Sequence, residues 1–221
     1  MAYHLNFGYI WVHFDKLTWG LALSLELALV SIVIGMAIGL SLALVYTNGG
    51  PLVRNLVAGY VEFIRNVPLL LLVYLVFYGI PSVGGFMYDA TVSFIITLAG
   101  YSGAYMVEVF RAGLAAVPRG LIDAGKAIGL TAWQRLICVR LPTMFRIVLP
   151  SLSNAFVSLF KDTSLASVIA VPELTYGAQW IKTNSFRVIE VWIVVTPMYL
   201  ITGYALLFGL QRLERRFAIQ R

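Results

Sequence analysis

The sequence predicts an all-α membrane protein with about five transmembrane helices, and three observations predict it. Of its 221 residues, 60% are hydrophobic and only 12% are charged, whereas ordinary soluble domains carry about 25% charged residues. Five segments approach the ~20 apolar residues needed to cross a hydrocarbon core. Turn signals separate them: Asn48-Gly49-Gly50-Pro51, Pro81-Ser82-Val83-Gly84-Gly85, Val117-Pro118 and Val171-Pro172.

The first expected span, Gly20 to Val45, is interrupted only by Glu26, read as snorkelling or hydrogen-bonding to a neighbouring helix near the outer end. Its Gly35 and Gly39 form a G-x-x-x-G that permits close helix packing. The second, Val67 to Ile80, reaches spanning length by starting near Leu56 and running through Arg65. Glu62 and Arg65, three residues apart, read as an interfacial pair. The third, Thr91 to Val109, ends with Glu108 and Arg111 on one face, either a structural salt bridge or a gate. Lys161 and Asp162 interrupt the fourth, Ile147 to Ala170. On a regular helix they would point about 100° apart, so either the helix breaks there or each finds its own partner. The fifth runs from Val191 to Leu210. With no internal repeat or linker, residues 1–221 read as one domain. The stretch from Met1 to Lys16 has no basic n-region, so no cleaved signal peptide is expected. Cys138 is the only cysteine and reads as a small buried residue. His4 and His13 lack a third ligand nearby, so no metal site is expected.

Basic residues set the orientation. Arg54, Arg65, Arg111, Arg119, Lys126, Arg135, Arg140, Arg146, Arg212, Arg215, Arg216 and Arg221 fall on one side, and Lys16, Lys182 and Arg187 on the other, with Lys161 inside a span. The richer side is the expected cytoplasm, which puts the N-terminus outside and the C-terminus inside. The net charge of +6 is thereby a topology signal, and no nucleic-acid partner is expected.

The longest loop on the basic side, residues 111–146, reads as a helical hairpin. Pro118 ends the third span and can open a helix. Leu121, Ala124, Ala127 and Ile128 then recur at helical spacing, over a rod of about 13 Å. Gly129 fits the left-handed position that closes a helix. Thr131 and Gln134 have the form of a capping box, opening a second helix expected to stop at Pro142. Spacing alone leaves two readings: a rod gripped by a partner protein, or an interfacial helix lying on lipid.

The spacing Asp123-Ala124-Gly125, three residues, Gly129, nine residues, Val139-Arg140-Leu141-Pro142 resembles the EAA motif of ABC importer permeases. It departs from that pattern at Asp123 for Glu, Gly125 for Ala and Val139 for Ile. Three further stretches are similar to the polar amino acid permease group, which serves histidine, glutamate, glutamine and arginine. They are Tyr60-Val61-Glu62-Phe63-Ile64-Arg65-Asn66-Val67-Pro68-Leu69-Leu70, Tyr105-Met106-Val107-Glu108-Val109-Phe110-Arg111-Ala112-Gly113 and Phe160-Lys161-Asp162-Thr163-Ser164-Leu165. Val67 departs from the Thr that many relatives carry.

The resemblance implies an amino-acid transport permease of a bacterial inner membrane, multi-pass, working by alternating access. Its implied partners are a cytoplasmic ABC ATPase dimer, an extracytoplasmic amino-acid-binding protein, a second permease subunit (the same chain or a related one) and membrane lipid. Arg119, Asp123, Ala124, Gly125, Lys126, Gly129, Leu141 and Pro142 would form the coupling helix and its turn, with Arg119 and Lys126 meeting acidic groups of the ATPase. The Arg65 to Leu70 stretch leans toward glutamate, aspartate or glutamine as substrate. A zwitterionic amino acid needs an acceptor for its ammonium and donors for its carboxylate. Asp162 offers the first, and Thr163, Ser164 and freed backbone amides the second, unless the segment only seals an interface or gate. Lys161 is the remaining pathway candidate, and Glu62, Arg65, Glu108 and Arg111 are structural or gating candidates. The chain contains no G-x-x-x-x-G-K-[ST] and no H-E-x-x-H, so it is not expected to be an enzyme. ATP and Mg would bind the partner ATPase, with no cofactor in this chain. Two other readings use the same residues: a self-sufficient carrier or channel, and a non-transporting scaffold.

Overall fold

The structure, a computed structural model, describes residues 4–85 and 87–217. Arg221 and the segment Met1 to Tyr3, both used in the sequence reading, lie outside the described residues. All regular structure among the described residues is helical. A short α1 (Gly8–Val12) leads into α2 (Phe14–Asn48). After the Gly49-Gly50 turn comes α3 (Pro51–Asn66), then α4 (Leu69–Tyr74), a π turn at Leu75–Gly79, and α5 (Ile80–Gly84). α6 (Ala90–Ala115) is capped by Asp89, whose side chain accepts from the Thr91 amide at 2.8 Å. The hairpin helices α7 (Arg119–Ala127) and α8 (Ala132–Arg135) follow. A π turn at Leu136–Arg140 feeds α9 (Leu141–Asp162), which tightens into a 3₁₀ segment, Thr163–Ile169. α10 (Leu174–Ser185) and α11 (Val188–Phe217) complete the chain.

Among the described residues, four helical stretches are long and apolar enough to cross a membrane: Phe14–Asn48, Ala90–Ala115, Ala132–Ile169 and Val188–Arg216. A fifth crossing comes from Pro51–Asn66 and Leu69–Gly84, a pair bent by 106°. The continuous second span expected from Leu56 to Ile80 is therefore broken. Pro68 causes the break, because its ring forces the preceding residue out of the helical region, and Val67 is extended at φ −99°, ψ 131°. The opposite correction holds at Pro142, where the second hairpin helix was expected to stop but continues into α9. Each π turn ends two residues before a proline, Pro81 or Pro142. Its wider ring lets nearby carbonyls swing clear of the pyrrolidine, whereas Pro150 and Pro197 sit inside α9 and α11 without a π turn. Cys138 sits on the second π turn and is exposed, not buried.

α2 and α6 form the most extensive helix pair. A Cβ on Gly35 would fall 1.9 Å from Ser102 Oγ, and one on Gly39 would fall 2.3 Å from Met106 Cβ. The two glycines thus let the backbones approach, and Ser102 Oγ donates across the contact to the Ser31 carbonyl at 3.1 Å. Three larger clusters fill the bundle. Ala43, Met106, Phe110 and Met144 lie at the hairpin end, Leu27, Leu69, Phe94, Leu98 and Leu159 in the middle, and Ile10, Leu17, Leu174, Ile181 and Val191 at the far end.

Candidate functional site: a helical hairpin and an intramembrane cleft

The hairpin closes as the sequence predicts. Gly129 has φ +82°, a left-handed conformation open to glycine without a Cβ clash. The Leu130 amide donates to the Gly125 carbonyl at 3.0 Å and the Gly129 amide to the Lys126 carbonyl at 2.9 Å, the paired bonds of a Schellman motif. Two residues later the capping box is complete. The Thr131 amide donates to Gln134 Oε1 at 2.8 Å, and the Gln134 amide to Thr131 Oγ1 at 3.3 Å. Arg135 braces the turn by donating to the Leu130 carbonyl.

Gly125 is the buried residue of α7. A Cβ there would lie 3.3 Å from Arg135 Cγ, so the inner face of α7 rests on α8. Next to that contact α7 is bare: Leu121, Ala124, Ala127 and Ile128 are all exposed, Ile128 to 77%, and Trp133 on α8 is 68% exposed. Lys126 already has a carboxylate partner, Asp123, at 2.7 Å, and that hydrogen bond holds the Asp123 carboxyl below its usual range. Arg119 has no ion-pair partner among the described residues. Leu141 is half-buried and Pro142 exposed at the head of α9.

Asp162 ends α9 and lines a cleft of about 290 Å³ together with Tyr101, Tyr105, Ser102 and Ser158. No ion pair among the described residues uses its carboxylate. Tyr101 and Tyr105 face the cleft one helical turn apart, with the Tyr101 hydroxyl donating to the Tyr105 hydroxyl at 3.2 Å. At Lys161-Asp162 the helical stretch does not break; the α-helix passes into 3₁₀ geometry, and Thr163 Oγ1 turns back to the Phe160 carbonyl at 2.7 Å. That bond and full burial remove Thr163 from the cleft. Lys161 is exposed, and neither it nor Ser164 is part of the lining.

Glu108 and Arg111 pair at 2.7 Å. Glu62 and Arg65, expected to pair, form no ion pair. The Arg65 guanidinium lies 5.4 Å from the Tyr105 ring centroid instead, where the ring face attracts it. Among the described residues no group of three His, Cys, Asp or Glu side chains is placed to hold a metal ion.

Sequence reasoning missed the two tyrosines, although their i, i+4 spacing on the third span was a visible signal. It also missed α10 and its cap, Glu173. This carboxylate is fully buried and accepts from the Thr175 amide at 2.9 Å, the Tyr176 amide at 2.8 Å, Tyr199 Oη at 3.0 Å and Ser24 Oγ at 3.3 Å. It joins α2, α10 and α11 at one point. Gly20 makes room for it, since a Cβ there would fall 2.8 Å from the Glu173 backbone.

The family of binding-protein-dependent transport system inner membrane components matches residues 31–219. The chain belongs to it. The glutamine transport system permease protein GlnP of Escherichia coli strain K12 is 34% identical over 211 residues, covering 95% of this chain and 96% of that protein. The probable glutamine ABC transporter permease protein GlnP of Bacillus subtilis strain 168 is 34% identical over 200 residues, 89% of this chain and 91% of that one. A solved amino acid ABC transporter with histidines superposes at TM-score 0.89 and 28% identity, over 97% of this chain and 100% of the other. An inward-facing MetNI methionine ABC transporter shares the fold at TM-score 0.78 and 20% identity, over 93% and 98%. As a member of this family the chain is an inner-membrane transport component, and the bent second span and the α7–α8 hairpin are parts of that fold.

Proposed function

We propose that this chain is the permease subunit of an ATP-driven importer of polar amino acids, with its arginine-rich end in the cytoplasm and its N-terminus outside. The observation that carries the reading is the bare apolar face of α7, Leu121, Ala124, Ala127 and Ile128, on a hairpin locked at Gly129. It is a short rigid rod held out from the bundle, suited to a groove in a soluble partner. That partner is a cytoplasmic ATPase dimer, which binds ATP and Mg. A binding protein delivers the substrate from outside, and a second permease subunit, identical or related, completes the pathway.

The cleft at Asp162 has the polarity that a zwitterion requires. The carboxylate accepts from the ammonium, and the hydroxyls of Tyr105 and Ser158 donate to the substrate carboxylate or to a polar side chain. The glutamine permeases among the relatives, and the Arg65 to Leu70 stretch, favour glutamine, glutamate or aspartate. Closure of the ATPase dimer moves the hairpin, and the bundle alternates between outward and inward openings around the cleft.

Gly129→Asp tests the coupling. A Cβ there meets nothing within 4 Å, and the left-handed backbone costs about 1–2 kcal/mol, so insertion should survive. In mild detergent the wild type should co-purify with an ATPase carrying a phosphate loop, and the variant should lose both that partner and transport. Normal transport by the variant would remove the hairpin from the mechanism. Uptake by the purified chain alone in liposomes would replace the importer with a self-sufficient carrier.

A further inference from the structure

At the arginine-rich end a second cleft holds positive charge that the carboxylates among the described residues do not balance. Tyr46 and Thr47 of α2, Arg54 in the first turn of α3, Arg111 and Leu114 of α6, and Arg140 line a hollow of about 250 Å³. Glu108 neutralises Arg111 at 2.7 Å, and the Arg111 guanidinium lies 5.6 Å from the Tyr46 ring centroid. Arg54 is exposed and donates its Nε to the Tyr46 carbonyl at 3.2 Å, and no ion pair among the described residues uses its guanidinium. Arg140 is half-buried, and its Nε is a buried donor with no acceptor among the described residues. Of three guanidiniums, one is paired and two are not.

A buried donor without an acceptor carries an uncompensated desolvation penalty, so an acceptor supplied from outside would be held strongly. Guanidinium forks match the paired oxygens of a phosphate. The surroundings of the cleft point to the source of that phosphate. Val45, next to Tyr46 at the end of α2, is 48% exposed, and Leu52 and Leu56, on the side of α3 turned away from Arg54, are 72% and 67% exposed. A cationic hollow between helices whose outer sides are bare and aliphatic, at the end of membrane-crossing helices, matches a headgroup phosphate with its acyl chains alongside.

We infer that this cleft binds the phosphodiester of an anionic membrane lipid, with Arg54 and Arg140 holding its oxygens. The inference goes beyond the transport reading and depends on it only for placing this end at a membrane surface. The acyl chains lie along the bare aliphatic surface beside Val45. Bound lipid would then tie α3 to the base of α9, next to the hairpin.

The test uses the importer complex purified in mild detergent. Bound phospholipid per permease is measured by lipid mass spectrometry for the wild type, for Arg54→Gln with Arg140→Gln, and for Arg212→Gln, an exposed basic residue on α11. The thermal midpoint of the delipidated wild type is then followed with phosphatidylglycerol, phosphatidylcholine or inorganic phosphate. The expected result is at least fivefold less retained anionic lipid in the double variant, with Arg212→Gln unchanged. Phosphatidylglycerol alone should raise the wild-type midpoint. Equal retention in all three proteins would overturn the inference. So would equal stabilisation by phosphatidylcholine, or by inorganic phosphate, which would mark a free-anion site. Loss of the ATPase from the double variant with lipid retained would assign the arginines to a protein contact and overturn it too. If the double variant does not assemble, the wild-type titration still decides. Loss of transport with lipid binding intact, as in Gly129→Asp, would leave this inference standing.

Discussion

Glu173→Gln separates a charged cap from a neutral one. Burial pushes the Glu173 carboxyl up to about 7, against the pull of the Thr175 and Tyr176 amides and the Tyr199 and Ser24 hydroxyls. The unperturbed value is 4.5, so the gap corresponds to about 3 kcal/mol. The folded state binds this proton more tightly than the unfolded state, so stability is fully present below 4.5 and is lost as pH rises toward 7. Between pH 5 and pH 8 the loss is about 2–3 kcal/mol. For a chain of this size each kcal/mol moves the midpoint by about 2–4 °C, so the wild type should melt about 5–10 °C lower at pH 8 than at pH 5. Glutamine cannot ionise, and wherever its –NH₂ sits it faces a backbone N–H of Thr175 or Tyr176, a loss of about 1–3 kcal/mol. The variant should therefore be less stable than the wild type at pH 5, and the difference should shrink toward pH 8. Thermal unfolding in detergent micelles at four pH values reads both effects. Parallel pH profiles for the two proteins would refute the reasoning, because Glu173 would then be ionised across the whole range.

Two further outcomes test the packing and the cleft. Gly39→Ala puts a methyl group 2.3 Å from Met106 Cβ and 2.8 Å from its backbone carbon, so α2 and α6 must separate, at about 1–3 kcal/mol. Gly59→Ala is the control: its Cβ meets nothing within 4 Å, and helix propensity predicts a gain of up to about 1 kcal/mol. Comparative thermal melts should show the first variant falling and the second holding or rising. Asp162→Asn should raise the transport Km or stop transport while leaving the ATPase attached, read by uptake and co-purification. Unchanged kinetics would reduce Asp162 to a structural residue.

Much of the fold was legible because its causes are local. Apolar length marked the spans, the glycine and capping box marked the hairpin, and Gly35 and Gly39 marked the closest helix contact. The sequence reading failed where a non-local compensation decided the outcome. Pro142 looked like a stop because proline removes a helical hydrogen bond and crowds the preceding turn, and the π turn ahead of it relieves that conflict. Pro68 looked harmless inside an apolar run, yet it bends the second span by 106°. α10 was missed because Leu174, Ala178 and Ile181, at helical spacing, are too few to span a bilayer, and spanning length was the criterion applied. Glu173 was missed for a related reason. Its partners Ser24 and Tyr199 lie 149 and 26 residues away, and only the assembled bundle brings them within hydrogen-bond reach. The Glu62–Arg65 spacing suited a pair, but the Tyr105 ring competes for the guanidinium from another helix.

The continuity past Pro142 bears on how the two sites can communicate. Ala132–Ile169 is one helical stretch of 38 residues, on the order of 55 Å long at about 1.5 Å per residue. The capping box anchors one end to the hairpin turn, and Asp162 stands near the other, where the helix tightens to 3₁₀ geometry. A hairpin ending at Pro142 would have hung from a loop, and a push on α7 would have dissipated there. A packed helix instead transmits displacement along its axis, because its turns are held by hydrogen bonds, interrupted at Pro150, and by side chains such as Met144, Val148 and Leu159, all buried against neighbouring helices. Besides Pro150, the irregular places on this rod are the π turn at Leu136–Arg140 and the tightening at Thr163. One lies beside the hairpin and the other beside the cleft, where the proposed transport cycle would need its hinges.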